Sequence, residues 1–270
     1  MRKNSLITST RSNNLRHVTY SHSDYVDVLQ IHADYISHKN NKTLIIDTDS
    51  IPQNIKDVYD QIICYDDSLP YASRILNSIG QINDEYFLLM HDNDIPLKEG
   101  VYMEKVLQAF LDRRMDCINL QHTPFRLVDD LVNIDDRYEL ILQHYFKNHP
   151  RMGTNYVYNV NPSIWNKNTL LEIMKEFNDT SYRNIEKEDV QKFCSRYKIY
   201  KVHCRYNADL KAVAHHGCPD FFVFFHITHG GKFVPFDGFD CYGRPYTDVA
   251  GDYKEIIDKY NLRESPRSPS

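Results

Sequence analysis

An α/β domain with a mainly parallel central sheet flanked by helices is the fold class this sequence predicts, on three observations. Short apolar runs alternate with amphipathic stretches of helical period, several of those runs end in acidic or polar residues, and a 270-residue chain that is 41% hydrophobic can bury a sizeable core. Strands of such sheets are covered on both faces and read as continuous apolar runs, and ligands gather at their carboxyl ends.

Taken in order, Ser5 to Thr8 reads as a short strand and Asp24 to Ile36 as a helix. Thr43–Asp47 and Gln61–Tyr65 are strand-like, and they run into Asp47-Thr48-Asp49-Ser50 and Asp66-Asp67-Ser68. Between Pro70 and Ile82, the residues Ala72, Ile75, Leu76 and Ile79 recur at i, i+3, i+4 and i+7, one face of a helix. Tyr86–Met90 is the next strand and breaks at His91-Asp92-Asn93-Asp94. Met103, Val106, Leu107, Phe110 and Leu111 stripe a further helix, and Cys117–Leu120 is a strand. Residues 124 to 155 are polar and aromatic with weak periodicity, so an insertion or loop over the sheet edge is expected there. A helix over Asn168 to Phe177, a second helix led by acidic residues, and an apolar strand at Phe221–Phe225 complete a smaller, mixed C-terminal region. One domain over 1 to 262 is expected, with 263 to 270, rich in Ser and Pro, as a frayed tail.

Bulk composition removes several function classes. Net charge of -5 and a pI near 6.2, with no basic stripe, argue against a nucleic-acid partner, since affinity for phosphate backbones comes from clustered Lys and Arg. The six cysteines, Cys64, Cys117, Cys194, Cys204, Cys218 and Cys241, include no Cys-x-x-Cys pair and fit free thiols in a reducing compartment. Neither a transmembrane-length apolar run nor a signal-peptide stretch is present, so a cytoplasmic protein is expected. Four histidines at 215, 216, 226 and 229 lack a Cys or acidic partner at zinc-finger spacing.

Asp92-Asn93-Asp94 directly follows five apolar residues, so both carboxylates project from a turn at the carboxyl edge. Mg²⁺ and Mn²⁺ favour that arrangement, because they use one or two carboxylates together with substrate phosphates. The plain alternative is a turn whose acids cap the chain and face water. Asp66-Asp67, ending the neighbouring strand, adds polar groups to the same edge.

The stretch DDSLPYASRILNSIGQINDEYFLLMHDNDIPL, residues 66 to 97, resembles the core of GT-A glycosyltransferases, in which a helix precedes a hydrophobic strand ending in an Asp-x-Asp motif. The resemblance extends over about residues 4 to 235 and implies a Rossmann-like GT-A domain, with a nucleotide-sugar-binding half at 1 to 123 and an acceptor-side half at 124 to 262. It implies Mn²⁺ or Mg²⁺ as cofactor, Asp94 as primary ligand, Asp92 as a metal or ribose contact and Asn93 beside the donor. The implied activity moves a hexose from a nucleotide diphosphate sugar, a UDP-sugar first, to a hydroxyl of a carbohydrate acceptor. Thr8, Thr10 and Arg11 occupy the family's nucleotide-binding strand end, with Asp66 and Arg74 as further nucleotide contacts.

Later segments supply the remaining expected residues. Tyr158 to Trp165 is similar to the acceptor-side segment, and Trp165 is expected either to stack on sugar or to anchor the core. In Asn184 to Phe193, Glu188 is the first candidate for the base that accepts the acceptor proton, with Glu186 and Asp189 as alternates and dipole complementation as the structural alternative. Some members carry a metal-binding histidine six residues before a phosphate-contacting lysine, which matches His226 and Lys232; His229 stands where those members have Gly and leaves two histidines as candidate ligands. Twenty tyrosines fit an aromatic carbohydrate groove as well as ordinary packing. Two other function classes compete: a non-catalytic module that binds sugar nucleotide or glycan, distinguished by acids turned away from the metal site, and a nucleotidyltransferase. The latter normally carries a Gly-rich phosphate loop after its first strand, and residues 9 to 15 contain no glycine.

Overall fold

Because the strand that leads into the Asp-Asn-Asp turn is apolar on both sides, it must be sandwiched, and the computed structural model places it near the middle of a nine-stranded sheet. The structure describes residues 15–100, 102–122, 131–149, 153–205, 217–218, 222–229, 232–233 and 250–262. The chain first runs through β1 (Arg16–Tyr20), α1 (Val26–Ile36), β2 (Lys42–Ile46), α2 (Gln53–Lys56), β3 (Gln61–Cys64), α3 (Tyr71–Gly80) and β4 (Tyr86–His91). It continues through β5 (Asp94–Glu99), α4 (Met103–Asp112), β6 (Cys117–His122), β7 (Leu131–Asn133), β8 (Tyr138–Leu142), β9 (Phe146–His149), β10 (Gly153–Asn155) and β11 (Ser163–Asn166). Then follow α5 (Lys167–Glu176), α6 (Glu188–Cys194), β12 (Ile199–Cys204), β13 (Gly217–Cys218), β14 (Phe222–His226), β15 (Thr228–His229), β16 (Lys232–Phe233) and α7 (Ala250–Lys259).

The main sheet has the order β3-β2-β1-β4-β11-β6-β12-β8-β7. Only β11 and β8 run against the rest, so seven of the nine strands point the same way and their carboxyl ends share one edge. Helices cover both faces, as the alternation of apolar runs and amphipathic stretches predicts. On one face, Met103, Val106, Leu107 and Phe110 of α4 and Leu29, Ala33 and Ile36 of α1 pack on Leu44, Leu88 and Ile118. On the other, Ala72, Ile75 and Ile79 of α3 and Leu170, Ile173 and Met174 of α5 pack on Ile45, Phe87 and Trp165. Each Leu, Ile, Val, Met or Phe side chain among them contributes about 1.5–3 kcal/mol on burial. α5 starts where it does because the Asn166 side chain accepts from the Asn168 and Thr169 amides, at 3.0 and 3.3 Å.

One expectation falls outside the described residues and one is corrected. The strand expected at Ser5 to Thr8 lies outside the described residues, and the strand that enters the sheet beside β4 is Arg16–Tyr20. Its sequence, RHVTY, has no apolar run because polar residues are buried with partners: Thr19 Oγ1 meets His32 Nε2 at 3.0 Å. Residues 124 to 155 are not merely an insertion, since β7 and β8 extend the main sheet and β9 pairs with β10. A buried charge hides β8: Glu139 is fully enclosed and bonded by Arg205 Nε at 2.9 Å, which interrupts the apolar pattern of YELIL.

A second, three-stranded sheet, β13-β14-β5, leans on α1 through Val28, Ile31, Ile95 and Phe225. Its antiparallel register sets His226 opposite Asp94. Among the described residues, no helix is long and apolar enough to cross a membrane.

Candidate functional site

At the carboxyl end of β4 the chain turns through Asp92 and Asn93 and re-enters a sheet at Asp94, so three consecutive side chains are fixed by strands on either side. Asp92 is 9% exposed and accepts a hydrogen bond from Ser21 Oγ at 2.6 Å, while its amide donates to the Tyr20 carbonyl at 3.1 Å. Burial pushes its carboxyl up to about 7; the Ser21 hydrogen bond opposes that shift and the charge of Asp94 adds to it.

Asp94 is fully buried and clamped from three sides. Oδ2 accepts from the His91 amide at 3.2 Å, Oδ1 meets His226 Nδ1 at 2.7 Å, and its carbonyl meets His32 Nδ1 of α1 at 3.0 Å. His32 is held neutral: burial lowers its pKa to about 4. Its Nδ1–H therefore donates to Asp94, and Nε2 accepts from Thr19. His226 is 31% exposed, and its pKa is raised: burial lowers it, but the charge and hydrogen bond of Asp94, with Asp92 and Glu186 behind them, outweigh that. Asn93 Nδ2 lies 3.0 Å from His226 Nε2, and Asn93 Oδ1 is sealed without a partner.

This donor set fits a hard divalent cation. Asp94 Oδ1 and His226 Nδ1 converge, and Asn93 Oδ1 is an unused carbonyl oxygen beside them. Among the described residues, no three His, Cys, Asp or Glu side chains gather into a ready-made cage. Mg²⁺ or Mn²⁺ held here would draw its remaining ligands from phosphate and water, as such ions commonly do.

Tyrosines fill the flank next to the turn. Tyr20 stacks on Tyr65 with centroids 5.3 Å apart, and Tyr71 meets Tyr20 edge-on at 5.2 Å. Tyr71 Oη bonds His91 Nε2 at 3.1 Å, and burial keeps that imidazole neutral with a pKa of about 4. Tyr182, exposed, sits over Tyr71 and His91 at 5.2 and 5.6 Å. Beyond Tyr20, Asp47 accepts from the Ser23 amide and hydroxyl, both at 2.6 Å, and His22 lies 3.4 Å from Asp67.

The expected nucleotide contacts divide. Asp66 is exposed and closes a local turn, accepting from the Ser68 amide and hydroxyl at 2.9 and 2.6 Å. Arg74 pairs with Asp67 at 2.7 Å and lies over the Tyr65 ring at 5.1 Å, so it borders the aromatic flank. Thr8, Thr10 and Arg11 lie outside the described residues, as does the side chain of His229. Lys232 is exposed and pairs with His229 through the β15–β16 backbone.

On the acceptor side, Glu186 and Glu188 behave differently. Glu188 is held by Lys192 at 2.8 Å and Lys147 at 2.9 Å on the surface, and these lysines pull its pKa to about 2. Asp189 is exposed. Glu186 turns inward: Oε1 accepts from the Val160 amide at 3.0 Å, burial raises its pKa, and its charge reaches His226 and Tyr182. Trp165 is 2% exposed, packed with Tyr158 in the core, so its ring offers no face to a sugar and its place is that of an anchor. A separate cavity of about 490 Å³ lies between α4 and β7, and none of these site residues lines it.

Ser21, His32 and Tyr182 were not singled out by sequence. Their signal is weak, since only a correctly placed β1 shows that Ser21 follows a strand of the central sheet.

No protein-family model matches the chain, and no curated protein matches it significantly in sequence. Solved structures that overlap it include a UDP-glucose pyrophosphorylase, 8% identical, covering 71% of this chain and 91% of that one with a TM-score of 0.41. A putative glucose-1-phosphate thymidylyltransferase from Bacillus anthracis is 9% identical over 70% of this chain and 86% of its own, at 0.44. The glycosyltransferase GlyE of Streptococcus pneumoniae is 10% identical over 69% of this chain and 45% of its own, at 0.39, so this chain spans less than half of GlyE. Overlaps this loose leave the function to be read from the carboxylate turn itself.

Proposed function

We propose that this protein transfers a hexose from a nucleotide diphosphate sugar, a UDP-sugar first, to a hydroxyl of a carbohydrate acceptor, with Mn²⁺ or Mg²⁺ held at Asp94. The observation that carries this is the Asp92-Asn93-Asp94 turn at the carboxyl edge, met by His226 from a second sheet and by the field of Glu186.

Asp94 and His226 would hold the ion, with Asn93 beside them and His32 fixing the backbone. An ion held there would supply counter-charge to the departing diphosphate. Asp92, tied to Ser21, orders the junction between β1 and β4 where ribose and phosphate would lie. Glu186 accepts the proton of the attacking hydroxyl; Val160 occupies Oε1, which leaves Oε2 to face the acceptor, and the raised pKa makes it a stronger base. Tyr182 and Tyr71 wall the reacting groups from water.

The inward turn of Glu186 favours turnover over a module that only binds. Nucleotidyl transfer is disfavoured, because β1 is followed by Ser21-His22-Ser23-Asp24, with no Gly, Lys or Arg to cradle a triphosphate. The test is release of nucleoside diphosphate from a panel of nucleotide sugars in Mn²⁺, with and without chelator. Release that chelator stops is expected; no release from any donor, with or without candidate acceptors, overturns the proposal.

A further inference from the structure

On the face that packs against α3 and α5, strand register lines up successive rows of residues across β4, β11, β6 and β12. Phe87, Trp165, Cys117 and Ile199 form one row, wholly apolar. Two residues nearer the carboxyl edge the row reads Leu89, Ser163, Asn119 and Lys201. On β11, β6 and β12 the change from apolar to polar happens in one step and marks a floor toward the same sheet edge as the Asp-Asn-Asp turn. That floor is cross-linked: Asn119 Nδ2 donates to Asn159 Oδ1 and to Ser163 Oγ, the latter at 2.8 Å, and Asn159 and Asn161 both donate to Gln121 Oε1 at 3.2 Å.

Lys201 is out of place in such a floor. It is 7% exposed, and among the described residues its ammonium makes no hydrogen bond or ion pair. Glu186 acts on it through its charge, with no hydrogen bond between the two. Glu186 Oε1 is engaged by the Val160 amide rather than by the lysine. Burial pulls the lysine down to about 8. A cation so desolvated is costly unless an anion meets it.

We propose that the Asn119–Lys201 floor binds the sugar unit of the substrate and that Lys201 receives an anionic substituent on it, a carboxylate or a phosphate. This rests on the glycosyl-transfer reading of the same site and names its substrate class as an anionic saccharide. The cross-linked amides hold the floor in place, and the ammonium gives a charge-assisted hydrogen bond to the anion.

The test titrates glucuronate, glucose 6-phosphate and glucose into the wild-type protein and Lys201→Met, each with and without UDP and Mn²⁺, following heat and chemical-shift changes. Lys201→Met removes an unpaired buried charge at similar volume, so the variant is expected to fold with an unchanged or higher Tm. One of the two anions should bind the wild type roughly tenfold tighter than glucose, and that preference should vanish in Lys201→Met while UDP binding is unchanged. Preference for glucuronate identifies a carboxylate, and preference for glucose 6-phosphate a phosphate. Equal binding of the three sugars, no binding of any, or a preference that survives Lys201→Met overturns the inference. UDP binding, measured in the same series, reports separately on the nucleotide site.

Discussion

The two faces of the central sheet reach its carboxyl edge differently. Against α1 and α4 the apolar residues run on to the edge: Ile46, Met90, Leu120 and Val202 are all buried in one cluster. Against α3 and α5 they stop at Trp165, Cys117 and Ile199 on β11, β6 and β12, and Ser163, Asn119 and Lys201 follow. One face is built for closure and the other holds polar groups away from bulk water, which is where chemistry gains most from fixed charges. Substitutions on the two faces should therefore fail in different ways.

The largest effect is expected at Glu186. Glu186→Gln should lower turnover by about 10²–10⁴-fold while leaving nucleotide affinity intact, and Glu188→Gln, which only loosens two surface lysines, should turn over like wild type. Matched rates of glycosyl transfer for the two variants decide it, and the reverse ranking would move the base to the surface helix. On the closed face, Leu88→Ala removes a fully buried side chain and should cost about 2–5 kcal/mol in urea unfolding without weakening ligand binding.

A smaller, pH-dependent effect belongs to His17, on β1. Burial, assisted by Lys39, His38 and Lys42, lowers its pKa from 6.5 to about 3. The unfolded chain therefore takes up this proton first as pH falls. The contribution is fully present above 6.5 and is lost between 6.5 and 3, with a slope of at most about 1.4 kcal/mol per pH unit. Stability measured at pH 7 and pH 5 should fall less steeply for His17→Gln than for wild type. Equal slopes would mean that the ring is hydrated.

Legibility in sequence followed how local each cause is. β4 and its turn were readable because five apolar residues precede four polar ones, and α3, α4 and α5 because their stripes are periodic. β1 and β8 were not, since buried His17, Thr19 and Glu139 carry polar groups where a strand pattern calls for apolar ones. The pairing of His226 with Asp94 spans 132 residues and exists only through the β14–β5 register. Lys201 left one usable trace: in Ile199-Tyr200-Lys201-Val202 it stands two residues from Ile199, where alternation demands a buried side chain.

The most direct measurement is thermal stabilisation by nucleoside diphosphates and nucleotide sugars, in Mn²⁺ and in chelator, for wild type and Asp94→Asn. That substitution keeps the shape of a carboxylate that accepts from His91 and meets His226, but removes its charge. A ligand that binds only the native state raises its apparent stability. Donor binding at Asp94 predicts a rise in Tm for one nucleotide in Mn²⁺ that is absent in chelator and in Asp94→Asn. The same rise in chelator or in the variant, or none for any nucleotide, would contradict it.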